Sequence, residues 1–361
     1  MSEISKNTTE KFAEAYQQNN KQNALQRGVV KNGITASAET IQGHVNNVPV
    51  FSVDVTTGKV SNQKQSGRCW MFAALNTFRH KMLNAFNLKD FELSQNHTFF
   101  WDKYEKANYF YENVLATAQE PLSSRKVAFL LQTPQQDGGQ WDMIVSIFQK
   151  YGVVPKAVMP ESSNSSNSRD LNNYLNKKLR KDAGTLRQLV ADGQSEAAIQ
   201  EAKEGMLQEI YNFLATSLGT PPETFDFEYR DEEKNYHIDR GLTPQTFYDK
   251  YVGVDLDDYV SIINAPTADK PYNKSYTVEM LGNVVGGKEV KYLNVDMETF
   301  KKLAIAQLEQ GESVWFGCDV GQSSTRDSGI MALDAYDMND LFDIDFTMTK
   351  AQRLDYGESL M

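Results

Sequence analysis

Gln63-Lys64-Gln65-Ser66-Gly67-Arg68-Cys69-Trp70 runs without a break into Met71-Phe72-Ala73-Ala74-Leu75-Asn76-Thr77-Phe78. A polar octet gives way to an apolar run with helical spacing, and a cysteine sits at the join. The spacing predicts a helix from Cys69 to about Phe86. Trp70, Phe72, Ala73, Leu75, Phe78 and Met82 surround much of its circumference, as expected of a helix inside a core. A thiol in the first turn meets unpaired backbone N–H groups and the positive end of the helix dipole. Such positions lower the cysteine pKa and favour the nucleophilic thiolate. Packing alone is also compatible with a cysteine there. Gln63, six residues earlier, carries an amide able to donate to an oxyanion formed beside the sulfur, and Trp70 can wall the site.

Working outward, 361 residues suffice for a sizeable core in one large domain or two to three smaller ones. The net charge of −11 argues against nucleic acid or an anionic membrane surface as partner, since both need cationic patches. No run approaches the ~20 apolar residues of a membrane span, and Met1-Ser2-Glu3-Ile4-Ser5-Lys6 lacks the apolar centre of a signal peptide. Cys69 and Cys318 are the only cysteines, which gives neither a disulfide framework nor metal-ligand spacing. The expectation is a cytosolic protein.

Before the octet, residues 7–27 predict one amphipathic helix with Phe12, Tyr16 and Leu25 inward, residues 28–48 are turn-rich, and 50–55 predict a short extended segment ended by Thr57-Gly58-Lys59. After it, residues 89–116 carry a helical pattern. Asp137-Gly138-Gly139-Gln140-Trp141 then precedes a helix to Tyr151. The adjacent glycines permit close backbone approach by a ligand; a plain tight turn is the alternative. Residues 161–168 form a low-complexity polar linker, followed by helices over 169–191 and 195–218. From Phe225 the period changes to alternation, predicting strands near 225–229, 260–263, 276–286, 289–295 and 313–320, a helix over 296–310 and a last helix from Thr349 to Tyr356. His44 and His237 read as exposed loop residues, and His97 as a satisfied or solvated histidine rather than a catalytic one.

The octet resembles the papain superfamily of cysteine peptidases, whose pattern is Gln-x-x-Cys-Gly-x-Cys-Trp, with Ser66 at its first cysteine. The run Gln-Lys-Gln-Ser-Gly-Arg-Cys-Trp-Met-Phe is closer still to the bleomycin hydrolase and aminopeptidase C family, as are Phe91-Glu92-Leu93-Ser94-Gln95-Asn96 and Phe100-Trp101-Asp102-Lys103. The resemblance implies an α+β, papain-like cysteine peptidase fold. Residues 1–160 would form an N-terminal arm and the helical half with the Cys69 helix, 161–222 a helical insertion, and 223–361 a barrel-like β half, C-terminally incomplete.

It also implies roles. Cys69 is the nucleophile, Gln63 an oxyanion donor, Trp70 a wall, and Gly138 and Gly139 line the substrate cleft. Peptides are the substrates, no cofactor takes part, and the assembly is a homohexamer. Ser66 and Gln136 stand where secreted relatives pair two cysteines, a double replacement that agrees with a reducing cytosol. Cys318, within Trp315-Phe316-Gly317-Cys318-Asp319-Val320-Gly321, reads as a packing residue on a structural strand. In the family, Gly-Glu-Ser-Leu-Met is followed by the segment bearing the catalytic histidine and later an asparagine. Here Gly357-Glu358-Ser359-Leu360-Met361 closes the sequence, so the expectation is a chain lacking both, a piece of a longer enzyme. An inactive peptide-binding or assembly homologue is the rival reading.

Overall fold

The computed structural model describes residues 1–55, 58–321, 323–325 and 327–359. Thr57 of the turn expected after residue 55, and Leu360 and Met361 of the closing motif, lie outside them. The chain divides into two compact units, residues 1–52, 265–269 and 317–361 in one, and residues 53–264 and 270–316 in the other.

The larger unit is built on two crossing helices. Cys69–Ala85 buries Trp70, Met71, Phe72, Ala74, Leu75, Phe78 and Met82, so the expected all-round apolar surface is met by packing on most sides. Gln95–Ala116 begins at Ser94, whose hydroxyl accepts from the His97 N–H at 3.0 Å. That hydroxyl satisfies one of the orphan donors of the first turn. Trp141–Tyr151 packs on both helices and buries Trp141, Ile144, Val145, Ile147 and Phe148.

The helices Arg169–Ala191 and Glu196–Leu218 form a hairpin against Gln95–Ala116. Leu171, Leu175, Leu179, Ala183 and Leu186 recur at three and four and make one buried stripe. Burying each leucine stabilises by roughly 1.5–3 kcal/mol. This pair is therefore part of the main core.

Among the described residues the strands form small sheets. Phe225–Arg230 pairs antiparallel with Tyr236–Leu242, and Lys291–Asn294 lies between Ser261–Ile263 (parallel) and Lys274–Thr277 (antiparallel). The strands expected near 276–286 and 289–295 are present in shorter form, pair with each other, and are connected by turns through 278–290. The expected strand over 313–320 does not form, because no neighbouring backbone pairs with it among the described residues. His237 lies on a strand rather than in a loop, although it is exposed as expected.

The smaller unit corrects the reading of the N-terminus. Residues 7–27 are two helices, Lys6–Gln18 and Asn20–Asn32, because Asn19 leaves helical geometry and its side chain caps the second by accepting from the Gln22 N–H at 3.0 Å. Phe12 and Tyr16 are exposed, not inward. Residues 28–48, expected as turns, add the short helices Ile34–Ala38 and Ile41–Asn46, the latter holding His44. Residues 50–55 contain no strand. Backbone bonds Thr40 N–H to Ala335 at 3.0 Å and Asp337 N–H to Ala38 at 2.9 Å tie the first and last segments of this unit together.

Candidate active site

Cys69 is the first residue of a 17-residue helix, is exposed, and is a free thiol. The residue before it is its opposite. Arg68 is wholly buried, its guanidinium lying between the rings of Phe72 and Phe99, each 5.0 Å from its centre. A buried guanidinium needs its charge matched. Glu161 accepts two parallel bonds from it, at 3.0 and 2.7 Å, and Ser66 Oγ accepts from Nε at 2.8 Å. The Ser66 hydroxyl in turn donates to the Gln63 carbonyl at 2.7 Å. Three residues of the octet, Gln63, Ser66 and Arg68, are thus joined by side-chain bonding rather than by regular secondary structure.

A second anchor comes from Asp137. Its carboxylate accepts from the Gly67 N–H at 2.9 Å, the Ser168 hydroxyl at 2.5 Å and the Asn172 amide at 2.8 Å, and pairs with Lys103 at 2.7 Å. Its carbonyl accepts from Trp70 Nε1 at 2.7 Å. Burial alone would push this carboxyl up, but Lys103 and the donors around it hold it well below the usual carboxylate range. Burial pulls Lys103 down to about 8 against the opposing pull of Asp137. Gly67 is needed for this approach, since a Cβ there would lie 2.9 Å from that of Asp137.

Gly138 and Gly139 differ in surroundings. A Cβ on Gly138 would meet nothing within 4 Å, whereas one on Gly139 would meet the Trp70 ring at 2.7 Å. Trp70 therefore backs Gly139, and Gly138 stands open. Lys106 fixes the arm from below, donating to the carbonyls of Gln136 at 2.9 Å and Gly138 at 2.7 Å while pairing with Asp102 at 2.7 Å. Trp315 Nε1 donates to the Trp70 carbonyl at 2.9 Å.

The octet's other flank rests on the serine-rich segment. Gln65 N–H donates to Ser166 at 2.9 Å, and Ser168 N–H donates to Gln65 at 3.3 Å. Residues 161–168 are thus no linker: they include a capped turn, Ser163–Ser166, with Ser165 buried. Gln63 Oε1 is buried and has no hydrogen-bond partner among the described residues.

The structure thus brings Cys69, Trp70, Gly138 and Gly139 together through Asp137 and the Trp70 ring. It gives no direct contact between the side chains of Gln63 and Cys69. The supporting roles of Arg68, Lys103, Lys106, Glu161 and Ser168 are not legible in the sequence, although Arg68 and Lys103 fall within family-like runs. Their buried charge shows only once the helices are packed.

The histidines are engaged elsewhere. His80 Nε2 bonds the Gly311 carbonyl at 3.0 Å. His97 is buried, accepts from Trp101 Nε1 at 3.2 Å, and is pulled down to about 3 by burial. His44 pairs with Glu39, and His237 pairs with Asp231 while stacking on Tyr229. Cys318 is half-buried, and burial followed by the neighbouring Asp319 charge raises its thiol pKa.

A family model described as the Peptidase C1-like family matches residues 3–361. The chain is 61% identical over 361 residues to an aminopeptidase C of Streptococcus thermophilus, covering 100% of this chain and 81% of that protein. It is 58% identical over 358 residues to an aminopeptidase C of Lactococcus lactis subsp. lactis, covering 99% and 81%. An aminopeptidase G of Lactobacillus delbrueckii subsp. lactis is 44% identical over 348 residues, covering 96% and 78%. Among solved structures, a crystal structure of pepW from Lactobacillus rhamnosis HN001 superposes with a TM-score of 0.98 at 65% identity, covering 99% of this chain and 80% of that one.

Proposed function

The chain belongs to the Peptidase C1-like family and is by family a cysteine-type aminopeptidase of papain-like α+β fold, and we propose that Cys69 is its nucleophile. The observation that carries this is the contrast at the helix start. An exposed thiol is presented there by a buried, charge-matched Arg68 and by a Gly67 N–H fixed on Asp137. Sulfur attacks the scissile carbonyl carbon, a C–S bond forms, and the carbonyl electron pair moves onto oxygen. The Gln63 amide and the Cys69 backbone N–H hold that oxyanion. Collapse breaks the C–N bond and releases the amine, and water then frees the acyl group. Gly138 and Gly139 hold the substrate main chain, with Trp70 behind them.

The leaving amine needs a proton from an imidazole. His80 is eleven residues along the same helix, about 16 Å from Cys69 at ~1.5 Å rise per residue. The other three histidines are bonded as described above. None of these four histidines is therefore assigned to that proton transfer. The same observation favours a second reading, a peptide-binding homologue without turnover. Hydrolysis of an aminoacyl fluorogenic amide separates them. The first reading requires turnover, and its loss in Cys69→Ala. Turnover that survives Cys69→Ala removes the nucleophile from its role.

Release of N-terminal residues from peptides, a reducing cytoplasm and a homo-oligomer complete the proposal. Two free thiols support the compartment. Among the described residues no helix is long and apolar enough to cross a membrane. Exposed Phe12, Val30, Ile41, Val50 and Phe51 support self-association through the N-terminal segment. Sedimentation showing only monomer at micromolar concentration would remove the oligomer.

A further inference from the structure

Asp137 occupies an unusual place in the connectivity. It receives the N–H of Gly67, two residues before the thiol, and the indole N–H of Trp70, one residue after it. It is also the residue from which Gly138 and Gly139 extend. Both flanks of the thiol and the root of the glycine arm thus meet at one buried side chain and its own carbonyl. Behind it, Lys103 is fully buried and bonds Gln135 and Asn172 as well as Asp137, so the carboxylate has little room to swing. Lys106 closes the arm from the far side through the Gly138 carbonyl.

We propose that Asp137 is a positioning residue that sets the register between the Cys69 thiol and the peptide backbone held at Gly138–Gly139. This rests on the reading of Cys69 as nucleophile. The thiol and the glycine arm come from segments about seventy residues apart, and no regular secondary structure joins them. An attack geometry has to be held within a fraction of an ångström, and a displacement near 1 Å costs about a hundredfold. Asp137 supplies that constraint through fixed bonds to both sides. A purely stabilising ion pair would leave the reactivity of the folded protein toward all electrophiles unchanged relative to one another.

The test compares two electrophiles on the 361-residue chain. Iodoacetamide reports on the thiol alone, whereas a dipeptidyl chloromethyl ketone must also be held by the glycine arm. In the parent chain the peptidyl reagent should label Cys69 far faster than iodoacetamide at equal concentration. In Asp137→Asn, which keeps size and an acceptor oxygen, the ratio of the two rates should fall about tenfold or more. The iodoacetamide rate should stay within about threefold. An unchanged ratio in folded Asp137→Asn overturns the inference while leaving Cys69 as nucleophile. A parent chain with no preference for the peptidyl reagent takes down the nucleophile reading and the inference with it. Should Asp137→Asn not fold, Asn172→Ala decides by the same ratio. It removes one bond to the carboxylate and leaves the Lys103 pair. A several-fold fall supports the assignment, and none overturns it.

Discussion

Arg68 and Glu161 meet through two parallel bonds of 3.0 and 2.7 Å, with the arginine fully buried and the glutamate at the head of the serine-rich segment. The pair joins the residue before the exposed thiol to a segment ninety-three positions later in the chain. Its planar fork also leaves Nε to hold Ser66.

Removing one partner of a buried pair strands the other. Arg68→Met should destabilise the chain by about 3 kcal/mol, and Arg68→Lys by less, since a point charge remains without the fork. Urea unfolding followed by circular dichroism measures both. Equal midpoints for parent and Arg68→Met would show that the pair contributes nothing.

The two glycines of the arm should respond oppositely to one added methyl. Gly139→Ala forces the Trp70 ring aside and should cost about 1–3 kcal/mol by overpacking. Gly138→Ala meets open space and should leave stability within about 0.5 kcal/mol. That methyl projects into the proposed cleft, so peptidyl labelling of Cys69 should slow in Gly138→Ala although the fold is intact.

Burial draws His97 down to about 3 from its ordinary value near 6.5. The unfolded chain therefore binds the extra proton throughout that interval. Stability from this group is complete above pH 6.5 and declines as pH falls toward 3, by up to about 1.4 kcal/mol per pH unit. His97→Gln should flatten the difference between urea midpoints at pH 7 and pH 4.5. An identical pH slope in parent and variant contradicts the assignment.

The two cysteines should separate under alkylation. Burial and the Asp319 charge raise the Cys318 thiol pKa, while Cys69 stands exposed at the helix start. Iodoacetamide at pH 7 should modify Cys69 about tenfold faster, as followed by peptide mass spectrometry. Comparable rates would mean that the helix start confers no advantage.

Where local pattern decides structure, the sequence was readable. The helix from Cys69 and the two helices within 169–218 follow from apolar period alone. The N-terminal pair was not, because Asn19 looks like any polar helix residue until its side chain is seen capping. Residues 313–320 alternate like a strand, but a strand exists only with a partner, and alternation carries no word of that partner. At the site, Cys69 and the glycines showed through their motifs. The burial of Lys103 and Lys106 did not, since lysines on a helical pattern are expected in solvent and these two are inside.

The segment from Glu161 to Ser168 looks interchangeable on paper, four kinds of bond hidden in a short polar alphabet. Glu161 takes the guanidinium, Ser162 and Ser165 cap each other, Ser166 and Asn167 hold Gln65, and Ser168 reaches Asp137. A scrambled version would conserve every residue and lose nearly every contact. In this stretch meaning lies in word order and not in vocabulary, so measures of sequence complexity would discard the part that underpins the thiol.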